Sequence, residues 1–140
     1  VFGEKNDSRA ILMKPLTGMN KSGKAVKEFC INQGLLLSNV HVIVDDIDLP
    51  LGKLRIRPKG GDGCHRGMES IIYQNRDNNF PRIRFGIAVG SKLRPSEQYV
   101  LKDFKKSDQN LADEMIIRAA DAAELIFEDG LNKAMNKYNA

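Results

Sequence analysis

The chain has 140 residues, 41% of them hydrophobic and 29% charged, with 22 Lys plus Arg against 18 Asp plus Glu and a net charge of +4. That size fits one soluble domain burying roughly 68–70% of its unfolded surface, and the balance excludes intrinsic disorder, collagen and coiled coil. No apolar run approaches the ~18–20 residues that span a bilayer, no signal-peptide pattern opens the chain, and the mild basicity permits a nucleic-acid partner without demanding one.

In chain order, Val1-Phe2-Gly3-Glu4 carries no evident leading strand or helix. Arg9 to Lys14 reads as a short strand stopped by Pro15, which cannot donate to a ladder. Asn20-Lys21-Ser22-Gly23 leads into a helix through about Gln33, with Ala25, Val26, Phe29 and Cys30 at helical spacing and Gly34 as its stop. Val40 to Val44 is nearly continuous β-branched sequence, which predicts a strand covered on both faces, and it gives way to Asp45-Asp46-Ile47-Asp48-Leu49-Pro50.

Gly52 to Arg57 alternates strictly, placing Leu54 and Ile56 inward and Lys53, Arg55 and Arg57 outward. After Pro58 comes a glycine-rich loop, Gly60 to Gly67, then a helix carrying Met68, Ile71, Ile72 and Tyr73. Asn75 to Asn79 reads as a turn and Pro81 to Val89 as another strand. In the last third, Leu111, Met115, Ile116, Ala119, Ala122, Ala123, Ile126 and Phe127 form one apolar helical stripe, capped at Ser107 or Asp108 and broken at Gly130. Strands alternating with helices predict a three-layer α/β/α domain with a mixed, mainly parallel sheet.

Four features could carry chemistry. Asp45, Asp46 and Asp48 follow a strand, the end of an α/β sheet where ligands bind, and could orient a His, hold Mg²⁺ or cap a turn. The Gly60–Gly67 loop can present amides to an anion, but it matches neither a Walker loop nor the dinucleotide fingerprint. His65, at the entrance to a helix, could act as acid, base or donor, or serve structure alone. Arg55, Arg57, Lys59, Arg66, Arg82 and Arg84 form either a solvated sheet edge or a patch for a sugar–phosphate backbone. Cys30 and Cys64 are isolated, without metal-ligand or disulfide spacing, which suits a reducing cytoplasm.

Taken together these segments resemble bacterial-type peptidyl-tRNA hydrolase. Pro15 to Val26 is similar to the family's "P-x-T-x-M-N-x-S-G-x-A-V" segment, and Asp45 to Gly52 to "D-[DE]-x-D-L-P-x-G". Gly60 to Ile71 is similar to "G-G-x-G-G-H-N-G-L-x-S-I", and Phe80 to Ile87 and the helix ending Phe127-Glu128-Asp129-Gly130 also match. The resemblance runs in order along nearly the whole chain and implies one domain, 1–140, that hydrolyses the ester between peptide and tRNA.

In that family a His acts as general base on the attacking water. The resemblance implies that Asp45 orients this His and that Asn20 places water or substrate and stabilises oxyanion charge. It puts Gly63, His65 and Arg66 on the peptide-binding side, and Arg57 and Arg84 in a clamp on a terminal phosphate of the tRNA acceptor arm. It implies a cytoplasmic monomer that binds tRNA and needs no cofactor, metal or membrane.

Two departures stand out. The family opens with a strand, an Asn-Pro-Gly turn and the helix bearing the catalytic His, none of which occurs in this sequence, so an N-terminally incomplete chain is expected. The loop reads Cys64-His65-Arg66 where the family has Gly-His-Asn, setting a cation beside the peptide pocket. A non-catalytic RNA-binding relative is the alternative these departures motivate, and a metal-dependent phosphatase using Asp45, Asp46 and Asp48 is a third.

Overall fold

A computed structural model describes residues 2–5, 8–90, 93 and 95–139. It is an α/β protein whose chain groups into two compact units, residues 1–40 with 58–81, and residues 41–57 with 82–140.

In the first unit, β1 (Phe2–Lys5) and β2 (Ser8–Ile11) pair antiparallel, from Phe2 opposite Ile11 to Lys5 opposite Ser8. Composition gave no sign of β1, because four residues with one Gly and two charges carry no readable period. β2 also ends earlier than expected, at Ile11. A 3-10 turn, Met19–Lys21, leads into α1 (Ser22–Gln33), which Gly34 closes in the left-handed conformation, φ 64°. Past the glycine loop, α2 (Arg66–Asn75) packs on α1.

These two helices meet at unusually short range. A Cβ on Gly23 would lie 2.0 Å from the Ser70 carbonyl oxygen, so only glycine allows the approach. The Gly23 amide, one of the orphan donors of a helix start, donates to Ser70 Oγ at 3.0 Å. No side chain of its own caps α1, so α2 supplies the cap. The Ser22-Gly23 and Gly67-x-x-Ser70 motifs are therefore, in local terms, a helix-packing device.

The second unit holds a mixed sheet ordered β3-β5-β4, from β3 (Val42–Pro50), β4 (Leu54–Arg57) and β5 (Arg82–Ala88). β3 and β5 run parallel, from Val42 opposite Arg82 to Asp46 opposite Gly86. β4 pairs antiparallel with β5, Leu54 to Phe85 through Arg57 to Arg82. The register of β3 shifts between Asp46 and Pro50, carrying the Leu49 and Pro50 carbonyls toward β5. A Cβ on Gly86 would stand 2.0 Å from the Pro50 oxygen, so the irregular strand end requires that glycine.

Three helices complete this unit: α3 (Ser96–Val100), α4 (Lys106–Asp129) and α5 (Leu131–Tyr138). Leu54, Ile56 and Ile83 on one sheet face pack with Met115, Ala119, Ala122 and Ile126 of α4 and Ala134 and Tyr138 of α5. As alternation requires, the opposite face of β4 and β5 carries Arg55, Arg57, Arg82 and Arg84. α3 docks through Tyr99, whose hydroxyl donates to the Ile87 carbonyl at 2.6 Å and accepts the Val89 amide at 3.0 Å.

Three expectations need correcting. β3 is not covered on both faces: it is an edge strand among the described residues, and Ile43 is 45% exposed. Its β-branched run reflects strand propensity more than burial. The stripe of α4 is buried at Ala112, Met115, Ala119, Ala122 and Ile126, while Leu111 and Ile116 face outward. Finally, α4 starts at Lys106 with Lys105 at the cap position and no side-chain cap, so neither Ser107 nor Asp108 serves there.

Candidate functional site

The expected site residues fall in two sets, one on each unit. Asn20, Gly63, His65 and Arg66 belong to the first; Asp45, Arg57 and Arg84 belong to the second.

In the first set, Asn20 is exposed in the Met19–Lys21 turn, immediately before α1. Ser22 Oγ donates to the Met19 carbonyl at 2.8 Å and the Lys21 amide to the Gly18 carbonyl at 2.7 Å, which fixes the turn's backbone. This turn packs against α2, where a Cβ on Gly67 would come within 2.6 Å of Met19 Sδ and 2.9 Å of His65 Cε1. Gly67 thus lets the Asn20 turn and the His65 ring close on the start of α2.

His65 caps α2: its Nδ1 accepts the Gly67 amide at 3.1 Å and the Met68 amide at 3.2 Å. An Nδ1 that accepts two N–H groups has no proton, so the neutral ring carries its hydrogen on Nε2, as a donor. The preceding loop turns through consecutive left-handed residues, Gly63 at φ 61° and Cys64 at φ 60°. Asp62 braces it, its Oδ1 accepting the Cys64 amide at 2.6 Å. A non-glycine residue there carries strain of about 1–2 kcal/mol. Arg66 is exposed and pairs with Glu69 at 3.3 Å, one turn along α2.

In the second set, the three acids lie inside β3 rather than after it. Asp45 is half-buried opposite Phe85, and Asp46 faces the other way, buried opposite Gly86. Asp46 Oδ1 accepts the Asp48 amide at 2.8 Å, and Oδ2 pairs with Arg84 Nε at 3.0 Å. Alternation and that ion pair separate the acids, and no group of three His, Cys, Asp or Glu that could hold a metal occurs among the described residues. The phosphatase alternative therefore has no ligand set there.

Arg57 and Arg84 stand on adjacent strands of the arginine face, Arg84 opposite Arg55 and Arg57 opposite Arg82. Arg55 and Arg57 are exposed; Arg82 is only 2% exposed. Burial first, and the charge of Arg84 second, lower the pKa of Arg82. The two facing cross-strand arginine pairs share this face with Asp46, which neutralises part of their charge through Arg84. Sequence reasoning located these arginines but missed the Asp46–Arg84 pair, since a parallel strand's register across some forty residues has no local signal. No helix among the described residues is long and apolar enough to cross a membrane.

Comparisons with known proteins bear on the family and the fold. The sequence model described as peptidyl-tRNA hydrolase matches residues 2–140. A peptidyl-tRNA hydrolase of Thermoanaerobacter sp. (strain X514) is 45% identical over 141 residues, covering 99% of this chain and 76% of that protein. One from Desulforudis audaxviator (strain MP104C) is 42% identical over 138 residues, covering 99% of this chain and 69% of the relative. Among solved structures, peptidyl-tRNA hydrolase from Acinetobacter baumannii superposes with a TM-score of 0.87 at 31% identity, over 99% of this chain and 70% of that one. With the family's motifs in order and its fold in place, the chain belongs to the peptidyl-tRNA hydrolase family.

Proposed function

We propose that this chain carries the substrate-handling residues of an esterase that releases peptide from peptidyl-tRNA, freeing the tRNA for translation. The observation that carries this reading is the family match over residues 2–140, which includes every motif bearing a candidate site residue. The same span supports treating 1–140 as one hydrolase domain. A cytoplasmic monomer, with no cofactor, is the setting this reading takes.

The chemistry is attack by water on the ester carbonyl, with the terminal ribose hydroxyl of tRNA as leaving group. A His general base removes the water's proton. Asp45 accepts the other ring N–H of that His, fixing its tautomer and favouring the imidazolium that forms. Asn20, on the braced turn before α1, places its side-chain amide toward water or the developing oxyanion. His65 Nε2–H and the Gly63 backbone hold the peptide, and Arg66 contributes charge at that pocket. Arg57 and Arg84 grip the terminal phosphate of the acceptor arm, where planar forks give bidentate contact. Recognition by shape and phosphate suits A-form RNA, whose deep major groove side chains cannot read.

The test is the initial rate of N-blocked amino acid release from tRNA. The rate is compared for the chain itself and for the chain joined to the His-bearing opening segment of a relative. Release by the joined protein, saturating with tRNA, is expected. Salt-sensitive tRNA binding with no release by either form would refute hydrolysis and leave a non-catalytic RNA-binding protein.

A further inference from the structure

Asp45 and Asp46 are neighbours on β3, and strand alternation sends their carboxylates to opposite faces of the sheet. Asp46 lies on the arginine face, with its side chain 4% exposed. A carboxylate so deeply buried needs its oxygens satisfied, and they are: Oδ1 by the Asp48 amide, Oδ2 by Arg84 Nε. The ion pair runs through Nε, so the two Nη groups of Arg84 are not consumed by it. Arg84 is itself 22% exposed, which keeps part of its fork within reach of solvent.

The surroundings push the other way. Arg55 lies directly across from Arg84 on β4, and Arg82 is two residues away on the same face of β5. Facing like charges repel, so without a counter-charge the flexible Arg84 side chain would swing outward and sample many orientations. Asp46 is the carboxylate that the structure pairs with it.

We propose that Asp46 is a positioning residue: it holds the Arg84 guanidinium against the repulsion of Arg55 and Arg82, with its Nη edge presented as a ready fork for an RNA terminal phosphate. The inference rests on the phosphate role given to Arg84 above. It also ties two functions to one dipeptide, because Asp45 orients the base while Asp46 orients the clamp.

The experiment measures affinity for an acceptor-stem RNA hairpin bearing either a 5′-phosphate or a 5′-hydroxyl. The wild-type chain is expected to prefer the phosphorylated hairpin by about tenfold, the value of one charge-assisted hydrogen bond. Asp46→Asn should cut that preference at least threefold while leaving affinity for the hydroxyl hairpin unchanged, and Asp46→Glu should restore most of it. A merely structural role would lower both affinities together, and that result overturns the proposal. Tighter binding by Asp46→Asn also overturns it, since Asp46 would then be screening Arg84 rather than presenting it.

Arg84→Ala separates the two layers of the argument. If it leaves the phosphate preference intact, the clamp reading fails. If it abolishes the preference while Asp46→Asn does not change it, only the positioning role fails. Should Asp46→Asn not fold, hydrogen exchange of the Arg84 Nε–H in the wild type decides. Protection in both free and RNA-bound chain is expected, and its loss on binding overturns the proposal.

Discussion

Replacing Gly23 by Ala tests how tightly α1 and α2 are joined, and so how firmly the Asn20 turn is held. The added Cβ would lie 2.0 Å from the Ser70 oxygen, 2.4 Å from its carbonyl carbon and 2.8 Å from the Ile71 nitrogen. Ordinary carbon contacts lie near 3.5–4.0 Å, so the helices must part by about 1.5 Å. Because the obstructing atoms are backbone, no rotamer change relieves the clash, and overpacking costs about 3 kcal/mol. Separation also stretches the Gly23 amide–Ser70 Oγ bond, worth about 1 kcal/mol. Against this, alanine in a helix gains about 1 kcal/mol over glycine. The clash wins, with a net loss of about 3 kcal/mol. For a chain of this size that lowers Tm by roughly 10 °C, and circular dichroism melts and urea titration should agree on the sign. Ser70→Ala, which only strands the amide, should cost about 1–3 kcal/mol. A Gly23→Ala protein as stable as wild type would refute the close-packing argument.

Further predictions follow from other contacts. Asn139 spans the free edge of β4, its amide donating to the Ile56 carbonyl at 3.0 Å and its Oδ1 accepting the Ile56 amide at 2.7 Å. Asn139→Ala should therefore cost about 1–3 kcal/mol in urea denaturation, whereas an exposed frayed end would cost nothing. Arg57→Ala and Arg84→Ala should each weaken tRNA binding and reduce the slope of log affinity against log salt by about 1; unchanged slopes would remove both from the phosphate contact. Burial raises the pKa of Cys30 and shields it, while Cys64 is exposed, so an aromatic disulfide reagent at pH 8 should titrate one thiol fast and the other only on unfolding. The sign for stability follows: Cys30's folded pKa lies above its unfolded one, so its contribution is full below the unfolded value and fades as pH rises through the folded value.

Much of the fold was legible because periodicity and stop signals agreed. Leu54-Arg55-Ile56-Arg57 alternates as read, and Gly34 ends α1 in the left-handed conformation that glycine favours. Two misreadings share a cause: local pattern carries no information on what lies across a strand or helix. Val40 to Val44 looks doubly buried but contributes to an edge strand, and Ile116 fits the helical stripe yet faces outward. At the site, the family resemblance singled out Asn20, Asp45, His65, Arg57 and Arg84 as candidates. It could not show that Ser70 caps α1 or that Asp46 is paired with Arg84, because each depends on tertiary approach, whereas the His65 cap on its own helix is a local contact.

The most direct test of hydrolysis is Asp45→Asn in the tRNA cleavage assay, using the joined protein that carries the general-base His. Asparagine keeps the shape but offers no charge to favour the imidazolium, so kcat should fall by about 10²–10⁴ with KM for tRNA unchanged. A kcat equal to that of the parent protein would contradict the account.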